Sequence, residues 1–136
     1  MRELTVDASL DQIGRVTDFV NEQLSELGCS QRIRIQVDVA IDELFGNIAR
    51  YAYDPEVGPA TVRVDVEDDP LSVIITFIDR GVPYDPVSAE FRDTTHLSAK
   101  DRPIGGLGLF MVKKTMDAIS YNYQDGQNIL TIRKTI

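Results

Sequence analysis

The run Ser72-Val73-Ile74-Ile75-Thr76-Phe77-Ile78 is the most apolar in the chain, and it ends on Asp79-Arg80-Gly81-Val82-Pro83-Tyr84-Asp85-Pro86. Its density of β-branched and aromatic residues, over this length, specifies a buried strand. Gly and Pro then stop it. A strand that delivers a carboxylate to its own end, beside a Gly where backbone can approach a ligand, is a common way to build a small-molecule site. Taken alone the stretch is an ordinary strand and turn, so its weight depends on what the rest of the chain places beside it.

Around that strand the pattern reads as one α+β domain over residues 1–136. Glu3 to Ala8 alternates polar and apolar, as a half-exposed strand does. Ser9-Leu10-Asp11-Gln12 has the form of a capping box. Leu10, Ile13, Val16, Phe19, Val20, Leu24 and Leu27 then recur at helical spacing up to Gly28, which suits a left-handed C-terminal cap. Ser30 caps a second helix running to about Tyr53, with Ile33, Val37, Ala40, Ile41, Leu44 and Ile48 as its buried stripe. Thr61 to Glu67 and Leu71 to Ile78 flank Asp68-Asp69-Pro70 as a hairpin. From Pro86 to Ile104 periodicity is lost, which in a small domain marks a functional lid or a mobile segment. Gly105 to Asp117 reads as a third helix, with Leu107, Leu109, Val112 and Met116 inward. Ala118 to Tyr123 and Asn128 to Arg133 form a second hairpin. Strands made by hairpins, with helices stacked on one face, predict a two-layer α/β sandwich with a mostly antiparallel sheet.

Composition narrows the function. Fourteen Lys and Arg against 22 Asp and Glu give a net charge of −8, which argues against a direct nucleic-acid surface. One cysteine, Cys29, and one histidine, His96, exclude an intramolecular disulfide and a His-rich zinc site. No signal-peptide core or membrane-length apolar run is present, so the expected location is the cytoplasm, with no membrane partner.

Two further stretches carry chemistry. Glu43 and Asn47 in Asp42-Glu43-Leu44-Phe45-Gly46-Asn47 are four apart and project from one helix face. A carboxylate and an amide so placed can hold a polarised hydroxyl and a divalent cation side by side, and Mg²⁺ needs only one or two protein oxygens. An isolated Glu/Asn pair is more often a solvated helix face. Gly105-Gly106-Leu107-Gly108 opens a helix, where free N–H groups and the helix dipole favour phosphate. It is neither a Walker A motif nor a dinucleotide fingerprint. Asp79 can accept a hydrogen bond from an exocyclic amine, with Gly81 leaving room for a flat ring.

These three stretches, in this order, resemble the nucleotide-binding boxes of the ATPase superfamily shared by gyrases, histidine kinases and heat-shock chaperones. The match is closest to its branch of anti-sigma-factor serine/threonine protein kinases. The resemblance runs from about Ser30 to the C-terminus and implies a Bergerat-type ATP-binding fold. It implies Glu43 as general base, Asn47 as Mg²⁺ ligand, Asp79 and Gly81 at adenine, Gly106 and Gly108 at the phosphates, and Thr131 in support of the adenine contact. It further implies ATP and Mg²⁺ as cofactors, a small STAS-type anti-sigma-factor antagonist and a sigma factor as partners, and homodimerisation through the first strand and helix.

Two positions depart from the family pattern. Tyr51 stands where a histidine is usual. Ile104-Gly105 stands where an arginine that touches the terminal phosphate is common, leaving Arg102 or Lys100 to replace it from a lid over about Ser88 to Pro103. That second departure keeps a non-catalytic, ATP-gated binding module open as the alternative. The ATPase half of a histidine kinase is disfavoured, because no phospho-acceptor helix is found.

Overall fold

The computed structural model describes residues 1–87 and 106–136. In chain order these form β1 (Arg2–Asp7), a 3₁₀ turn (Leu10–Gln12), α1 (Ile13–Leu27), α2 (Gln31–Asn47), a π turn (Ile48–Ala52), β2 (Pro59–Glu67), β3 (Ser72–Asp79), α3 (Gly106–Thr115), β4 (Ala118–Gln124) and β5 (Gln127–Thr135). The five strands make one sheet in the order β1-β2-β3-β5-β4, antiparallel at every pairing. The expected α+β sandwich is observed, with β3 at the centre of the sheet.

Alternation along the strands decides the layers. Val73, Ile75, Phe77 and Asp79 of β3 lie opposite Lys134, Ile132, Leu130 and Asn128 of β5 in register. Val62 and Val64 of β2 lie opposite Phe77 and Ile75. All the apolar members of these sets are buried, in one cluster with Val16, Val20 and Leu24 of α1, Val37, Ile41 and Leu44 of α2, and Val112 and Met116 of α3. The helices therefore cover one face. Fully burying a side chain the size of Phe77 or Phe45 contributes about 1.5–3 kcal/mol, so this single cluster supplies most of what orders the sheet. Phe45, fully buried, belongs to the stripe of α2 that the helical spacing missed.

The opposite face mixes Ile74, Ile78 and Ile129 with polar cross-strand pairs. Thr5 and Thr61 approach at 2.9 Å, Thr76 and Thr131 at 3.4 Å, and Arg63 bonds Glu3 at 2.5 Å. Pairs of this kind contribute little energy where they are exposed, as Thr5–Thr61 and Arg63–Glu3 are.

Local signals explain most boundaries. Gly28 adopts the left-handed conformation (φ 67°) that closes α1, and Ser30 caps α2 by accepting from the Ile33 amide. Asp125 and Gly126 both have positive φ, 55° and 77°, the primed two-residue turn that matches strand twist. The capping box at Ser9 does not form: the Ser9 hydroxyl bonds Asp11, and a 3₁₀ turn precedes the helix. Leu10 is consequently 48% exposed rather than part of the apolar stripe.

Candidate functional site

Glu43 and Asn47 occupy the last two turns of α2, both half-buried. The Asn47 Nδ2 donates to Glu43 Oε1 at 3.3 Å. Burial pushes the Glu43 carboxyl above the usual carboxylate range, and this outweighs the Asn47 hydrogen bond and the nearby Arg50 cation, which both lower it. Because the amide nitrogen faces Glu43, the amide oxygen of Asn47 is the atom left to meet a cation or water. Arg50 reaches back over Gly46, where a Cβ would stand 3.1 Å from its guanidinium.

The α-helix does not continue to Tyr53. It widens after Asn47 into the π turn, and π turns concentrate at functional sites because they re-aim the residues that follow. Here they aim at the exit of β3. The Ala52 carbonyl accepts from the Val82 amide at 2.9 Å; the Tyr53 hydroxyl accepts from the Arg80 amide at 2.8 Å and donates to the Pro59 carbonyl at 2.6 Å. Gly81 lies so close to the Ala52 carbonyl that an added Cβ would overlap it. Only glycine fits there.

Asp79 ends β3 almost sealed, 4% exposed. Its Oδ1 accepts from the Gly81 amide at 2.8 Å and from Asn128 Nδ2 at 2.9 Å. Asn128 faces it across the β3–β5 ladder and also donates to the carbonyls of Gly81 (3.3 Å) and Val82 (3.0 Å). Its own Oδ1 accepts from the Tyr84 amide at 3.3 Å and from the Tyr121 hydroxyl. Asp79, Asn128, Asn47, Tyr51 and Tyr84 line one cavity, together with apolar walls from Leu44, Ile48, Ala52 and Leu130. A flat ring suits apolar walls over a polar floor.

Helix α3 completes the arrangement. Gly108 lies directly against the Glu43 carboxylate, and a Cβ at that position would collide with its Oε2. Three stretches that lie far apart in sequence thus meet: Glu43 with Gly108, and the π turn with Gly81, whose amide bonds Asp79. Gly106 starts the helix. Lys113 donates to the Val87 carbonyl at 3.0 Å, and Lys114 sits over the Phe110 ring at 5.6 Å. Asp85 accepts from the Val87 amide at 2.8 Å, the local turn bond of its type.

Thr131 is not brought to this site. It pairs with Thr76 in the β3–β5 ladder, an even register step from Ile129 and an odd one from Asn128, and so lies on the uncovered face of the sheet. The polar β5 side chain that supports Asp79 is Asn128. Its signal was available in the alternation: Asn128 shares a face with the buried Leu130 and Ile132, and a polar residue in such a series needs a buried partner. His96, Lys100, Arg102, Ile104, Gly105 and the expected lid lie outside the described residues, as does the side chain of Leu107.

Among the described residues no group of three His, Cys, Asp or Glu could hold a metal. The donor set fits a hard cation held through the Asn47 oxygen, with phosphate and water filling the other positions, as Mg²⁺ prefers. Nor is any helix among those residues long and apolar enough to cross a membrane.

Residues 6–134 match the histidine kinase-like ATPase domain family. The serine/threonine-protein kinase BtrW of Bordetella bronchiseptica is 32% identical over 103 residues, covering 76% of this chain and 71% of that protein. The serine-protein kinase RsbW of Halalkalibacterium halodurans is 28% identical over 129 residues, covering 91% and 76%. Among solved structures, the RsbU and RsbW domains of Rv1364c from Mycobacterium tuberculosis superpose with a TM-score of 0.65 at 18% identity; the match covers 99% of this chain and 32% of that one, and it shows a shared fold.

Proposed function

The chain belongs to the histidine kinase-like ATPase domain family, and from that premise we propose that it is an ATP-dependent serine/threonine protein kinase acting as an anti-sigma regulatory factor. Its substrate is a serine on a small STAS-type antagonist protein, and its second partner is a sigma factor. The observation that carries the reading is that Asn47 and Asp79 line one cavity, with Glu43 bonded to Asn47 and lying against Gly108. Kinase relatives at 32% and 28% identity support the reaction class.

In this reading the Asp79 carboxylate accepts from the exocyclic amine of adenine, and the apolar walls and Gly81 hold the ring. Guanine presents a carbonyl at that edge and is refused. Gly106 and Gly108 offer backbone N–H groups to the phosphates at the start of α3. Asn47 holds Mg²⁺, which neutralises charge on the phosphate oxygens when bound. Glu43 accepts the seryl proton, or orients that hydroxyl, as its oxygen bonds the γ-phosphorus and the bridging oxygen leaves with ADP. A raised Glu43 pKa suits that role, since a base works best when its pKa lies nearer the working pH.

The second reading, an ATP-gated binding module without transfer, is favoured by Ile104-Gly105 in place of an arginine. The half-buried Glu43 argues against it, because binding alone needs no base. Incubation with Mg-ATP and candidate antagonists, followed by phosphosite mapping, separates the two. Phosphoserine on the antagonist supports the kinase; stoichiometric ATP binding with an unmodified antagonist supports the module.

A further inference from the structure

We infer that Asn128 is the positioning residue that sets adenine selectivity, by fixing which oxygen of Asp79 faces the nucleobase. The inference rests on the nucleotide reading above and deepens it.

Asp79 Oδ1 is held by two donors, the Gly81 amide and Asn128 Nδ2. Its Oδ2 takes no hydrogen bond from any of the described residues. Asp79 lines the cavity, which makes Oδ2 the oxygen available to a ligand there. The carboxylate thus has one oxygen committed to the protein and one presented to a ligand. An acceptor with fixed direction selects a donor on the base; a carboxylate free to rotate would select less.

Asn128 fixes that direction because it is itself immobilised. It is 6% exposed. Its amide nitrogen serves Asp79 and the carbonyls of Gly81 and Val82, while its oxygen takes the Tyr84 amide and the Tyr121 hydroxyl. These partners also settle the amide's orientation, since a flipped Asn128 would set its oxygen against three acceptors and its nitrogen against two donors. One side chain therefore ties the end of β3, the segment after it and β4 into a single polar floor. A hydroxyl could not serve both sets of partners at once.

The test is equilibrium titration of the full chain with ATP, ADP and GTP, for wild type, Asn128→Asp and Tyr121→Phe. Asn128→Asp keeps the shape but replaces the donating nitrogen with an acceptor facing Asp79. It is expected to weaken ATP and ADP by the same factor, roughly tenfold or more, the size of losing one oriented charge-assisted hydrogen bond, with GTP little changed. Tyr121→Phe leaves the packing intact and removes only the anchor of Asn128; it should lower the ATP:GTP preference about threefold in the same direction. In phosphotransfer, the loss should fall on KM for ATP and spare kcat. An ATP:GTP ratio unchanged in both variants, or equal losses for the two nucleotides, overturns the inference while leaving the nucleotide reading intact. A wild type that binds neither nucleotide overturns both.

Discussion

The backbone of Gly108 rests on the carboxylate of Glu43, closer than any side chain at that position would permit. This contact joins the start of α3 to the end of α2, and it makes the absence of a side chain at residue 108 a condition for placing Glu43. Gly108→Ala is therefore expected to push Glu43 or α3 aside and to lower phosphotransfer at saturating ATP by about tenfold or more, the scale of a misplaced reactive group. Single-turnover transfer rates check it. A rate within twofold of wild type would mean that Glu43 tolerates the shift.

Glu43 itself should show its burial in two ways. A base must be ionised to accept a proton, so transfer should fall as pH drops through a pKa higher than that of an ordinary glutamate. For stability the sign is opposite to the usual salt-bridged carboxylate. The folded-state pKa is raised, so the fold carries a cost once Glu43 is ionised; the cost is full above the folded pKa and vanishes below the unfolded one. Glu43→Gln should thus melt about 1–2 °C higher than wild type at neutral pH, a small gain because the group is partly solvated. The gain should disappear at acid pH, and calorimetry across pH reads it directly.

Asn47→Ala removes the amide oxygen assigned to Mg²⁺ and the donor to Glu43. ATP affinity should lose its dependence on Mg²⁺, and Glu43, without its hydrogen bond, should titrate still higher. Nucleotide titrations with Mg²⁺ and with EDTA distinguish this from a simple loss of fold. Undiminished Mg²⁺ dependence in the variant would take Asn47 out of the metal site.

Asp79→Asn exchanges an acceptor for an amide whose nitrogen would oppose the amine of adenine. ATP affinity should drop by about 2 kcal/mol or more, as for a buried polar group facing the wrong partner, while GTP is less affected. Equal losses for both nucleotides would refute base reading by Asp79.

Gly81→Ala tests architecture more than chemistry. Its Cβ would overlap the Ala52 carbonyl, breaking the join between the π turn and the end of β3. Overpacking of this kind costs about 1–3 kcal/mol, measurable as a lower urea midpoint at an unchanged slope.

Much of this was legible in the sequence, and the exceptions have physical causes. Hairpins were readable because alternation and Asp/Gly turns are local. The stripe Val37, Ala40, Ile41, Leu44 was readable because it has a helical period. The π turn after Asn47 was not, since it is set by bonds from Tyr53 and Ala52 to a segment almost thirty residues later. Asn128 was passed over for Thr131 because a resemblance supplies a residue type and a neighbourhood, whereas the face of a strand is fixed by register. Odd and even positions on β5 part company there, and a shift of three residues changes the side of the sheet.

The central claim is phosphoryl transfer, and the most direct measurement is the appearance of labelled γ-phosphate from Mg-ATP on a small STAS-type antagonist, with Glu43→Ala as control. The account predicts label on a single serine with wild type, and loss of label with Glu43→Ala at undiminished ATP binding. Stoichiometric ATP binding with no label on any antagonist, or equal labelling by the Glu43→Ala protein, would contradict it.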